Sequence, residues 1–91
     1  MDCSGNCCRI SGAVTVDSTG ELLRALQAHL AQGVDTLDFA GVESIDSSAL
    51  ALIFSAMRQA QQAGRTLVCT GLSDSFTTLA ELYGVSELLP A

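Results

Sequence analysis

Three stretches of helical periodicity, each stopped by a glycine, alternate along this chain with short extended runs. That alternation restricts the fold more than any other feature. Leu22, Leu23, Leu26 and Leu30 recur at helical spacing before Gly33. A longer helix is expected from about Ser47 to Ala63, closed by Gly64, and a third carries Phe76, Leu79, Leu82 and Tyr83 before Gly84. Ser18-Thr19-Gly20-Glu21 has the form of a capping box for the first helix, and Ser73 or Asp74 is placed to cap the third. The extended runs are Cys7 to Val16, Val34 to Ala40 and Thr66 to Thr70. In the second of these, Val34 and Thr36 fall on one side and Asp35, Leu37 and Phe39 on the other, as in a central strand. Val85 to Leu89 forms a last short turn or helix. No linker or repeat divides the chain, and Pro90 stands at its end.

The expected fold is therefore α/β: a single domain over residues 1–91, with a small mixed or parallel sheet and helices packed mainly on one face. The run from Cys7 reads as an edge strand, with residues 1–6 either a further edge strand or disordered.

Charge narrows the function. Lys+Arg number 4 against Asp+Glu 10, the net charge is −6, and there is no lysine. The four arginines (Arg9, Arg24, Arg58, Arg65) are scattered, so the clustered cations that release counterions from nucleic acid are missing. Attachment to an anionic membrane is disfavoured on the same ground. Direct membrane insertion is not expected either. The longest apolar run, Ala49 to Phe54, is six residues, against the roughly 20 that span a bilayer. Met1-Asp2-Cys3-Ser4 lacks the basic and apolar segments of a secretory signal, which predicts a cytoplasmic location. Cys3, Cys7, Cys8 and Cys69 are expected to be reduced and incidental to function. Adjacent Cys7 and Cys8 point to opposite faces of a strand, and His29 has no second histidine near it, so no metal site is expected.

The informative segment runs from Asp38 to Leu50, where a strand ends, a short loop Val42-Glu43-Ser44-Ile45 follows, and Asp46-Ser47-Ser48 opens a helix. Local physics reads the acid and hydroxyls as a helix cap. The same placement also suits phosphorylation of Ser47, because the helix dipole and free backbone amides receive a phosphate. Along this helix Ser47, Ala51 and Ser55 form a stripe of small side chains ending at Arg58. Such a stripe lets another protein's backbone approach closely, and alanine chosen for helix propensity explains it equally well. No catalytic residue, cofactor site or metal site is expected. There is no Gly-rich phosphate loop or paired-histidine motif, and Ser47 has no base beside it to activate its hydroxyl.

Asp38-Phe39-Ala40-Gly41-Val42 followed by Asp46-Ser47-Ser48-Ala49-Leu50 resembles the STAS domains, named for sulphate transporters and anti-sigma factor antagonists. Alanine stands at 49 where that family usually has glycine, and its methyl is expected to crowd a kinase approaching Ser47. Gly12-Ala13-Val14-Thr15 looks like the family's Gly-Glu-Leu-Thr element, with alanine replacing the acid. Within the family, the chain is most similar to the MlaB-type subunits of bacterial Mla phospholipid transport systems. That likeness rests on Ser48-Ala49-Leu50-Ala51-Leu52-Ile53, Thr70-Gly71-Leu72-Ser73 and Thr78-Leu79-Ala80-Glu81-Leu82-Tyr83-Gly84-Val85 with Leu88-Leu89-Pro90.

The resemblance implies a non-catalytic cytoplasmic accessory subunit, held at the inner membrane through its complex, that binds the ATPase of an ABC transporter. Asp46, Ser47, Ser48, Ala51, Ser55 and Arg58 would form the contact surface. The alternative it implies is an anti-sigma factor antagonist, in which a serine kinase that also sequesters a sigma factor phosphorylates Ser47.

Overall fold

The computed structural model describes residues 1–90. In order the elements are β1 (Asp2–Ser4), β2 (Cys7–Val14), α1 (Thr19–Ala31), β3 (Thr36–Ile45), α2 (Ser47–Gln62), β4 (Val68–Thr70) and α3 (Asp74–Leu82), with a final 3-10 turn at Ser86–Leu88. The strands form one sheet in the order β1-β2-β3-β4. β1 and β2 pair antiparallel, while β2–β3 and β3–β4 pair parallel, so α1 and α2 are the crossovers that parallel pairing requires.

Strand alternation decides which face the helices cover. Cys8, Ile10 and Val14 of β2, Leu37 and Phe39 of β3, and Cys69 of β4 are buried, whereas Arg9 and Asp38 lie on the open face with their charges 4.0 Å apart. Onto the covered face pack Leu26 and Leu30 from α1, Leu52, Ile53 and Ala56 from α2, and Phe76 and Ala80 from α3. Phe39 and Phe76 meet edge to face at 5.2 Å, joining the central strand to the last helix. The α/β architecture with helices on one face is as the sequence implied.

Several local expectations are corrected. Of the two alternatives for residues 1–6 the structure shows the edge strand, and β2 is internal rather than an edge, because a two-residue turn at Gly5-Asn6, with Gly5 at φ 60°, folds the first residues back as a hairpin. β3 does not stop at Ala40. It continues through Gly41 to Ile45, pairing Gly41 with Ser11 and Val42 with Gly12 across two register shifts. The expected loop is therefore strand, and only Asp46 separates β3 from α2. Val34 precedes β3 and is buried, so the alternation begins two residues later than the pattern suggested.

The capping box at α1 is not made. The Ser18 hydroxyl instead donates to the Ala13 carbonyl at 2.9 Å and accepts from the Thr15 amide at 3.1 Å, tying down the β2–α1 loop. Leu82 and Tyr83 continue the apolar period of α3 in sequence, yet they are 79% and 59% exposed because the helix buries only its Phe76–Ala80 side.

The cysteines depart furthest from expectation. Cys3 and Cys8 face each other across the hairpin and are joined by a disulfide, so these two are not reduced. Cys7 and Cys69 are free. Cys69 lies in the core, where burial pushes its thiol up to about 12. Among the described residues no helix is long and apolar enough to cross a membrane.

Candidate functional site

The C-terminal end of β3 delivers the chain directly into α2, and Asp46 makes the junction. Its backbone is extended, as an N-cap requires, with φ −132° and ψ −170°. One carboxylate oxygen accepts from the Ser48 amide at 2.9 Å and from the Ser48 hydroxyl. The other accepts from the Val16 amide at 2.9 Å, so the same side chain caps α2 and ties it to the loop before α1. Ser48's hydroxyl first, then the Val16 and Ser48 amides, hold the Asp46 carboxyl below its ordinary value.

Sharing these bonds leaves Ser47 as the exposed first residue of α2. The hydrogen bonds of Asp46 run to the Ser48 and Val16 groups and not to the Ser47 hydroxyl. The Ser48 amide, one of those expected to receive a phosphate, is occupied by Asp46. Ala49 is fully buried, with its methyl in the core. The expectation that it crowds an approach to Ser47 is therefore wrong, because the helix turns that side chain inward.

Beyond the first turn, Ala51 and Arg58 are exposed and Ser55 is half-buried, so the small-residue stripe faces outward as expected. From Ser47 to Arg58 it runs about 16 Å along the helix at 1.5 Å per residue. A shallow groove lies on each side. Toward α1 it is lined by Thr19, Leu23, Ser48, Ala51 and Ser55. Toward α3 a larger, mostly apolar groove of about 300 Å³ is lined by Ser47, Leu50, Ala51, Phe54, Tyr83 and Val85. Ala51 borders both, so it stands on the low ridge between them.

The structure thus brings together Asp46, Ser47, Ser48, Ala51 and Ser55, with Arg58 at the far end of the same face. It adds Phe54, Tyr83 and Val85, which sequence reasoning missed. The available signal was Tyr83 itself, a lone tyrosine beside a helix-ending glycine in a chain poor in aromatics. Such an arrangement can dock a protein surface. It has no nucleophile–base pair.

A family model described as "Mlab, STAS domain" matches residues 2–90. No curated protein matches this sequence. Among solved structures 15 chains match. One, titled "Structure of the Anti-Sigma Factor Antagonist SpoIIAA in its Unphosphorylated Form", superposes with a TM-score of 0.72 at 16% identity, over 91% of this chain and 75% of that one. At that identity the likeness is one of fold.

Proposed function

This chain belongs to the Mlab-type STAS domain family, and from that premise we propose that it is an accessory subunit that binds the ATPase of an ABC-type phospholipid transporter through the N-terminal half of α2. The observation that carries this reading is the outward stripe Ser47–Ala51–Ser55, low in bulk and flanked by two grooves. A helix or loop of the ATPase can lie along Ala51 with little side-chain displacement, and apolar side chains of the partner can enter the groove between Phe54 and Tyr83. Ser47 then sits inside the contact, where a hydrogen bond contributes about 0.5–1.5 kcal/mol. The subunit works by holding its partner's conformation, without chemistry of its own, and is cytoplasmic because the ATPase is.

The second reading, an anti-sigma factor antagonist, is favoured by one observation: Ser47 is exposed and open to a kinase. A phosphate there would add close to two negative charges beside Asp46, enough to break a docked complex.

Affinity purification of the tagged chain from its own cells, with mass-spectrometric identification of what co-elutes, separates the two. The first reading expects an ABC ATPase with its permease. A serine kinase with a sigma factor, and phosphoserine at Ser47, would replace it with the second.

A further inference from the structure

At the opposite end of the parallel strands from Ser47, the first hairpin meets the last turn of α1. Cys8 pairs with Leu37 near the start of β3, whereas Ile45, which leads into Asp46, pairs with Val14. His29 comes from the final turn of α1. The Sγ atoms of Cys3 and Cys8 and a ring nitrogen of His29 all lie within 4.8 Å of one another. Cys8 is fully buried, and Cys3 and His29 are partly so.

From this juxtaposition we propose that Cys3, Cys8 and His29 form a redox-gated zinc site: the reduced hairpin binds one Zn²⁺, and the disulfide is the form that has released it. Three observations carry this. The donor set of two thiolates and an imidazole is the one zinc prefers, and a three-ligand protein site leaves a fourth position for water. The spacing also fits. With Zn–S bonds of about 2.3 Å, tetrahedral geometry sets two sulfurs about 3.8 Å apart, inside the span that already holds all three donors. Reaching it needs only breakage of the disulfide and side-chain rotation, because the antiparallel pairing of β1 and β2 keeps both cysteines opposed. Finally, two thiolates neutralise Zn²⁺, so the metal adds no net charge beside the apolar core that Cys8 joins.

The exchange balances with a low-molecular-weight disulfide as oxidant. The two zinc-bound thiolates lose two electrons in forming the Cys3–Cys8 bond. The external disulfide takes those electrons and two protons to become two thiols, and Zn²⁺ leaves. Metal and disulfide use the same sulfurs, so they exclude each other.

The test uses the full chain reduced with a phosphine under argon and titrated with Co²⁺ as the spectroscopic probe, followed by displacement with Zn²⁺. One equivalent of Co²⁺ is expected, with a sulfur-to-cobalt charge-transfer band and tetrahedral d–d bands. Cys3→Ser should lose the charge-transfer band, and His29→Gln should weaken binding by about tenfold or more, since loss of even an outer-shell partner costs that much. Cys7→Ser and Cys69→Ser should bind as the parent does, and circular dichroism should show every variant folded. Addition of a small disulfide to the zinc form should release the metal as the Cys3–Cys8 bond forms. No cobalt band in the reduced parent, undiminished binding by His29→Gln, loss of binding in Cys7→Ser, or metal retained after oxidation would each overturn the proposal.

Discussion

Asp46 carries more of the local structure than any other side chain at the candidate site, because its two oxygens fix both the start of α2 and the Val16 loop. Its carboxyl is held below the ordinary value of 3.8, so folding favours the ionised form. The stabilisation is then fully present above 3.8 and is lost as pH falls through the lowered value. Asp46→Asn should accordingly be less stable than the parent near neutrality, and the gap should close in acid. Thermal melts over that range check it; a gap that stays constant would mean the charge is not involved. Tyr83 makes a different prediction. Being 59% exposed beside the apolar groove, it should melt unchanged as Tyr83→Ala yet lose about 1 kcal/mol or more of partner affinity, as buried aromatic anchors do. Calorimetric titration of the two forms reads both quantities. Asp46, Ser47, Ala51 and Ser55 were legible in sequence, because a cap and a stripe are set by spacing along one helix. Tyr83 was not, since its place beside Phe54 depends on how α3 packs against the rest of the fold.

Among the elements, the β4–α3 junction is the most tightly constrained. Gly71 has φ 68°, and a Cβ there would lie 2.6 Å from the Ala40 amide nitrogen and 2.9 Å from an Asp38 carboxylate oxygen. Gly84, at φ 70°, has open space around it. Gly71→Ala should therefore cost about 3 kcal/mol from clash and strain together, and Gly84→Ala about 1–2 kcal/mol from strain alone. Urea denaturation measures both, and equal costs would contradict the close approach. The β1–β2 hairpin makes a second case. Its disulfide closes a short loop, with a sequence separation of 5, for which chain entropy gives about 2 kcal/mol. Reduction in the presence of a chelator should lower stability by that amount and raise amide exchange first in β1. Exchange rising uniformly would contradict a local role. The three helices and the parallel core were readable because glycine stops and apolar periods are local signals. The hairpin was hidden by a three-residue strand too short to carry a period, and the length of β3 by pairing across the register shifts at Ser11 and Gly12.

On the scale of the whole molecule, the one-sided sheet separates two regions. The helical layer ends at Asp46 and Ser47 on one side, where the chain offers a low, partly apolar surface, and the Cys3–Cys8–His29 cluster occupies the other. With a net charge of −6 and four scattered arginines the surface suits a protein partner better than a polyanion. A fold does not by itself fix a partner, and the proposed reading puts that specificity on the surface of α2 and what borders it. A glutamate at 47 tests this surface cleanly. α2 has no acidic residue in its first turn, so the new charge faces the positive end of the helix dipole and should leave the melting temperature unchanged or slightly higher. In a docked interface the same charge must be desolvated. The decisive measurement is calorimetric titration of the proposed partner, an ABC ATPase co-purified with the chain, with the parent chain and with Ser47→Glu. A loss of affinity of about tenfold or more, roughly 1.4 kcal/mol, at undiminished melting temperature is the expected result, and equal affinities would contradict docking through the start of α2.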